Sequence, residues 1–540
     1  MFCLFPNFIL SSSQETFVVV SDAVFYGLRE KAQYETFLDN SGIYLYKKEP
    51  AMRKSAIIST LFLLLTVWSA AAYSDCYSIV AGKNATADGS VLFGHNEDNA
   101  RKFTAGMWKV ERAEHGPDET VALQSGARIP QSPVTWGYWW MQMPELDYSD
   151  GFLNEHGVAI ATDNCPSRED NPELTQGGIG GAILRRLVAE RSRTAREGVK
   201  VVGELVERYG YTASGRTMII CDSNEGWLVA LVNGKHWVAQ RVPDDKVAIV
   251  ANTYTIREID LTDTDNFLGS ADIVEYAVKR GWYDPSKGPF SFEEVYANPK
   301  TRVAPGNTHR QWSGLRRIAD APVPVPEKKR LPFAVVPKET LTMDHIASIL
   351  RDHYEGTQYE PNDNYSAAPP HRRHTSSICG LATNSSSIFQ LRSGMPVEIG
   401  AVWWLAMWTP CSTPYMPIYL GTDSVPGDLG FDPASAGTCP FCVISPDFGP
   451  AYRTFHDLSL WVDEDYSQRI GAVRDTWSTM EKTARNAQTV LEKGVLASWG
   501  NDTDAAREIL SRYSHGVVSR AVGLAREMMA ADNDLSGVGN

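Results

Sequence analysis

The strongest constraint on the fold is a short alternating run that begins at a cysteine. From Cys76 the chain reads Tyr77, Ser78, Ile79, Val80 and Ala81, passes through a polar stretch from Asn84 to Gly89, and resumes at Val91-Leu92-Phe93. Alternation of period two marks a strand, and Ala87-Asp88-Gly89-Ser90 supplies turn chemistry, so the segment predicts a β-hairpin. A hairpin returns its second strand to the level at which the first began. The polar end of that strand, Gly94-His95-Asn96-Glu97-Asp98, therefore falls beside Cys76. A carboxylate there could hold and orient a cationic group at Cys76, and Asp98 is the candidate.

What lies upstream gives Cys76 its interest. Met52-Arg53-Lys54 precedes an apolar run over 56–68 and then Ser69-Ala70-Ala71-Ala72, the basic, apolar and small-residue parts of a secretory signal peptide. The run is shorter than the ~20 residues a membrane span needs, so export to the periplasm or the medium is expected, with no membrane anchor. Lipoprotein processing wants a small residue before its cysteine, and Asp75 stands there instead. Met52 is read as the true start, residues 1–51 as an over-extended upstream segment, and 52–75 as signal peptide plus a short pro-segment. One further cleavage would make Cys76 the amino terminus. Such a cysteine carries its own base, because an α-amine with a pKa of about 8 is suited to take the thiol proton near neutral pH. The alternative is that Cys76 is half of a disulfide, and position alone does not separate the two.

Composition narrows the partners. With 43% apolar residues over 540 positions the chain has the material for a large folded body, not a disordered tail. Fifty-one Lys and Arg against 65 Asp and Glu leave a formal charge of −14, and no basic run tracks a phosphate backbone, so nucleic acid is excluded as a partner. Beyond Cys3 and Cys76 stand Cys165, Cys221, Cys379, Cys411, Cys439 and Cys442. In an oxidising compartment these could form structural bridges whose pairing sequence does not resolve. Cys439-Pro440-Phe441-Cys442 has C-x-x-C spacing, but no thioredoxin-like pattern surrounds it, so it reads as a local bridge. A zinc site would need a second ligand pair, and none is spaced for it; no metal and no other cofactor is expected.

The residues from Cys76 to Ser90, closing in Asn96-Glu97-Asp98, resemble the mature start of cysteine dipeptidases of the dipeptidase A type. Those enzymes are N-terminal-nucleophile (Ntn) hydrolases, related to penicillin V acylase and choloylglycine hydrolase. The resemblance continues through Asn154-Glu155-His156-Gly157 to Asn164, through His236 to Pro243, Val250-Ala251-Asn252, Arg351 to Thr357, Leu391-Arg392-Ser393 and Pro396 to Gly400. It implies an α+β fold, an αββα sandwich of two stacked antiparallel sheets flanked by helices. It also implies Cys76 as nucleophile, with Asn164 and Asn252 stabilising the oxyanion. Asn252 follows an apolar strand and reads from sequence equally well as a strand-end turn former. The superfamily usually carries Arg where His95 stands; a shorter, partly charged histidine alters how thiolate and substrate are held. Arg310, in Asn307-Thr308-His309-Arg310, is the nearest match to a second substrate-positioning arginine, against the commoner fate of a surface residue.

The rest of the chain completes this outline. Helical spacing of apolar residues over 180–209 predicts helix, with Arg185, Arg186, Arg191, Arg193 and Arg196 on a solvated face. Strands are expected at 218–221, 226–232 and 246–252. Residues 409–442, rich in Pro, Gly and Cys, read as a stapled surface loop. The catalytic domain is drawn at 76–465 and a C-terminal helical extension at 466–540. The function expected is a secreted cysteine peptidase that cleaves dipeptides through a thioester on an autoprocessed Cys76. An amidase or acyltransferase of the same superfamily, acting on non-peptide amides, is the alternative. From other classes, a non-catalytic binding protein or a thiol oxidoreductase using Cys439 and Cys442 also stands. The partner expected is a small peptide substrate, with homo-oligomerisation left open.

Overall fold

The computed structural model describes residues 36–38, 44–46, 76–98, 106–123, 125–142, 149–326, 330–374, 376–430 and 450–537. Residues 52–75, expected to be signal peptide plus pro-segment, and the pair Cys439 and Cys442 lie outside them. The chain divides into two units, Met1–Ala71 and Ala72–Asn540. In the first, Thr36–Leu38 pairs antiparallel with Tyr44–Tyr46.

The second unit is built on two antiparallel sheets. Numbered along the chain, one sheet has eight strands in the order β11 (Phe267–Gly269), β9 (Trp237–Arg241), β8 (Gly226–Gly234), β7 (Tyr211–Cys221), β6 (Ala159–Asn164), β5 (Ser149–Asn154), β4 (Tyr138–Gln142) and β3 (Gly106–Val110). The other has seven: β12 (Ala334–Val335), β10 (Val247–Val250), β1 (Tyr77–Ala81), β2 (Val91–Asp98), β13 (Thr383–Leu391), β14 (Ala401–Met407) and β15 (Met416–Tyr419). Side chains alternate between faces along each strand, and here both faces are apolar. Val80, Phe93, Phe389 and Trp403 meet Ala159, Ala161, Ile219 and Leu228 in one core between the sheets.

The outer faces are covered by helices. On the eight-stranded sheet, Ile160, Ile220 and Val229 pack under α1 (Gly181–Arg191) and α2 (Ala195–Tyr209) through Leu184, Val188, Val199 and Val202. Thr194 caps α2 by accepting from the Glu197 amide, which explains why the predicted single helical stretch is split. On the seven-stranded sheet, Tyr77, Ile79, Ile249 and Trp404 pack under α3 (Pro305–Ile318) and α4 (Met343–Leu350). The layering is αββα, an α+β fold as expected.

Three expectations need correction. Arg185 is buried, not solvated, and donates to the Thr162 hydroxyl. Residues 409–419 are not a surface loop: Thr409, Cys411 and Tyr415 are buried and Met416–Tyr419 is the edge strand β15. Nor is Cys165, Cys221, Cys379 or Cys411 half of a disulfide in the structure. For the first two the reason is strand geometry. Cys221 pairs with Ala159 at one end of β6 while Cys165 follows its other end, roughly 20 Å away at about 3.3 Å per residue.

Three further helices close the chain: α5 (Pro450–Glu464), α6 (Tyr466–Trp499) and α7 (Thr503–Gly537). They are fastened to the seven-stranded sheet. Trp477 donates to the Ser412 carbonyl, and Arg351 and Arg392 form buried ion pairs with Glu481 and Glu492.

Candidate active site

The predicted hairpin forms with Tyr77 opposite Asn96, Ser78 opposite His95 and Ile79 opposite Gly94. This register brings the end of β2 to Cys76, whose Sγ lies 4.0 Å from the Asp98 carbonyl oxygen. Cys76 shares its face of β1 with Ser78 and Val80, and Val80 belongs to the core between the sheets. The thiol therefore sits at one end of the inter-sheet space.

A buried polar chain runs along the same face. Ser78 Oγ donates to Asp163 Oδ2 at 2.6 Å and lies 2.9 Å from His95 Nδ1, whose Nε2 is 3.0 Å from Glu97 Oε2. His95 is thus engaged at both ring nitrogens by groups of this chain. Burial raises the Asp163 carboxyl to about 6, against the opposing pull of His95, the Ser78 hydrogen bond and Arg310. Asp163 belongs to the inward face of β6, after Ala159 and Ala161, and the sequence reading gave it no role. Its signal was a carboxylate on the apolar side of an otherwise hydrophobic strand.

Arg310 and Asn252 form the other wall. Arg310 is fully buried on α3, not at the surface. It donates to the Cys76 carbonyl at 3.1 Å, to Asn252 Oδ1 at 2.7 Å, to Asn307 Oδ1 at 3.4 Å and to the Gly306 carbonyl at 2.7 Å. Because the Arg310 guanidinium claims Oδ1 of Asn252, the amide orientation is fixed and Nδ2 is left to donate. One bond from Nδ2 reaches the Asn164 carbonyl at 2.8 Å, and an amide nitrogen has a second hydrogen to offer. Asn252 takes a left-handed conformation, φ 51°, which asparagine tolerates better than most residues. Asn164 enters through its main-chain carbonyl, while its Oδ1 accepts from Ser214 at 3.3 Å.

A close approach sets the position of Arg310. A Cβ at Gly314, one turn further along α3, would lie 2.0 Å from the Tyr77 hydroxyl and 2.7 Å from Ile249 Cδ1. Only glycine lets the helix lie this close to β1, and that closeness carries Arg310 to Cys76. Gly94 does the same for α4, since a Cβ there would meet Ile346 at 2.7 Å.

Cys165 and Cys221 do not compete as nucleophiles. Burial pushes the Cys165 and Cys221 thiols far up, with Asp163 and Asp222 adding to it, and thiolate is the reactive form. Cys76, His95 and Glu97 place one donor atom each within 4.8 Å of the others, close enough for a three-ligand cation site. A cleft of about 340 Å³ is walled by Thr253, Thr308, His309 and Gln311, the neighbours of Asn252 and Arg310, together with Arg257, Arg302 and Arg330. An apolar cavity of about 830 Å³ between α6 and α7, lined by Met480, Tyr513 and Leu524, holds none of the residues above.

The arrangement thus joins a thiol, a buried amide donor fixed by arginine, and a carboxylate chain, the parts of an acyl-transfer site. The model for peptidase family C69 matches residues 75–478. A probable dipeptidase of Latilactobacillus sakei is 31% identical over 357 residues, covering 64% of this chain and 74% of that protein. A probable dipeptidase of Salmonella dublin is 26% identical over 365 residues, covering 65% of this chain and 83% of its own. Among solved structures, a mutant conjugated bile acid hydrolase from Clostridium perfringens aligns at 11% identity with a TM-score of 0.32, covering 62% of this chain and 89% of that one. The match from just before Cys76 into the first part of α6 spans both sheets and the whole constellation: the chain belongs to peptidase family C69.

Proposed function

We propose that the protein is a secreted cysteine dipeptidase whose nucleophile is Cys76 at a processed amino terminus. The observation that carries this reading is the position of Arg310, which hydrogen-bonds the Cys76 carbonyl and Asn252 Oδ1 together. One cation thereby fixes the nucleophile's residue and an oxyanion donor in a single geometry.

The chemistry follows. Cleavage of the Asp75–Cys76 bond exposes the α-amine, which takes the thiol proton. The thiolate attacks the scissile carbonyl, and Asn252 Nδ2 donates to the oxygen as it gains charge. The protonated amine gives its proton to the leaving amine, and water hydrolyses the thioester to release the second amino acid. No step needs a metal or cofactor. The neighbouring cleft carries Arg257, Arg302 and Arg330 toward a substrate carboxylate, the last two already paired with Glu293. The relatives named dipeptidase support this substrate class.

The test joins amino-terminal sequencing of the purified protein to dipeptide hydrolysis by the wild type and Cys76→Ala. Expected are a terminus at Cys76, dipeptide turnover, and neither processing nor turnover in the variant. An active protein still carrying Asp75 would sink the amine-as-base mechanism. Hydrolysis of acyl amides in preference to dipeptides would reassign the substrate.

A further inference from the structure

A second cluster of nucleophilic and ligating side chains shares no residue with the one around Cys76. His353 follows α4, His371 sits on the helical turn Pro370–Arg373, Cys379 stands in the turn before β13, and Cys411 in the turn after β14. All four are buried, and their ligand atoms lie within 4.8 Å of one another. His353 Nε2 and His371 Nε2 are 3.3 Å apart. Sγ of Cys411 lies 3.3 Å and Sγ of Cys379 3.7 Å from His371 Nε2.

These separations have a meaning. Four ligands placed tetrahedrally at zinc's usual bond lengths would hold N···N at about 3.3 Å and N···S at about 3.6 Å. The outer nitrogens point the same way. His371 Nδ1 is 2.8 Å from Asp463 Oδ1 on α5, and His353 Nδ1 is 3.1 Å from Glu355 Oε1. A carboxylate on Nδ1 keeps the proton there and turns the Nε2 lone pair inward, the arrangement that orients metal-bound histidines. Two imidazole lone pairs and two sulfurs then converge on one buried point.

We infer that His353, His371, Cys379 and Cys411 form a structural zinc site. The donor set is S₂N₂, which selects zinc over the oxygen-seeking divalent cations. With four protein ligands in a buried shell, no position remains for water or substrate, so the role is structural. Binding replaces two thiol protons, released to solvent, by one Zn²⁺ bonded to two thiolates and two neutral imidazoles. The sequence offered no ligand pair beside Cys439 and Cys442 because these ligands come from four separate turns.

The site has a consequence for the catalytic hairpin, although it stands apart from the hydrolytic reading above. Asn96 Nδ2 donates to the Ile378 carbonyl at 2.8 Å and to the Leu350 carbonyl at 2.9 Å. Ile378 adjoins a ligand, and β13 pairs with β2 from Thr383 opposite Asp98. A metal here staples the exit of α4, the turns flanking β13 and β14, and α5 behind the strand end that faces Cys76.

Metal analysis of the full chain, purified and then dialysed free of loose ions, tests this. One zinc per chain is expected, kept in Cys76→Ser and lost in Cys379→Ser with Cys411→Ser. Cobalt(II) exchanged into the wild type should give intense tetrahedral d–d bands and a thiolate charge-transfer band, both absent from the Cys379→Ser protein. Because the double variant could fail to fold, Asp463→Asn provides a gentler arm. Its zinc affinity should fall about 10- to 100-fold in chelator competition, with its circular dichroism unchanged. A folded chain without zinc, zinc that stays after Cys379→Ser, or peptide mapping that recovers Cys379 and Cys411 as a disulfide would each overturn the assignment.

Discussion

Two buried clusters in this molecule draw on the same residue types, and they are built in opposite ways. Around Cys76 the parts come largely from one hairpin: Cys76, Ser78, His95, Glu97 and Asp98 lie within a single turn-and-return of chain. Around His371 the ligands come from four turns, with carboxylates added from α5 and from Glu355. The first cluster is completed by a cation, Arg310, that leaves the thiol a substrate to meet. The second closes on itself. Cysteine and histidine at similar depth therefore support different chemistry, depending on whether the surrounding donors are aimed outward at a reaction or inward at one point.

The sharpest way to break the comparison is Cys76→Ala. Turnover should fall by about 10⁴-fold or more, as for removal of other nucleophiles, while thermal stability and metal content hold. A stability loss matching that of Cys379→Ser would make Cys76 a structural thiol and erase the distinction. Asn252→Ala comes next. It removes the proposed oxyanion donor, so kcat on dipeptides should drop by about 10² to 10³-fold with KM little changed; an effect confined to KM would mark substrate binding instead.

Arg310→Lys should cost about 10- to 100-fold in kcat/KM, because lysine keeps the charge but cannot reach the Cys76 carbonyl and Asn252 together in one planar fork. Near-wild-type activity would mean that charge alone suffices. The smallest effect on turnover is expected from Asp163→Asn, whose signature is instead a changed pH profile of stability. The folded chain holds the Asp163 proton up to about 6, against an ordinary value of 3.8. The folded state thus binds that proton more tightly than the unfolded one, and stability falls as pH rises from about 4 through 6. The difference is on the order of 3 kcal/mol. Denaturant melts at pH 4 and pH 7 should show this slope in the wild type and a flatter one in Asp163→Asn.

How much of this was legible in the sequence follows from how local each feature is. The hairpin was readable because alternation, turn residues and the polar strand end all lie in one stretch. The two-sheet layering came from the resemblance and agrees with the strand pattern. Asp163 passed unremarked because a single aspartate in a strand has no meaning until the facing strand places Ser78 against it. Arg185 was misread because helical spacing tells which residues share a face, not whether a polar face meets solvent or Thr162. The His353, His371, Cys379 and Cys411 cluster was invisible for a stronger reason. Its ligands share no spacing, so only the tertiary fold writes the motif.

Gly314 deserves a last consequence. It bears no functional group, yet α3 rests on Tyr77 there, and one turn away the same helix delivers Arg310 to Cys76. The helix behaves as a lever with its fulcrum at Tyr77. A methyl group at the fulcrum would lift the far end, stretching contacts of 3.1 and 2.7 Å that have little slack. In a family built this way, a search for residues that govern turnover should include the contact that seats the helix as well as the groups it presents.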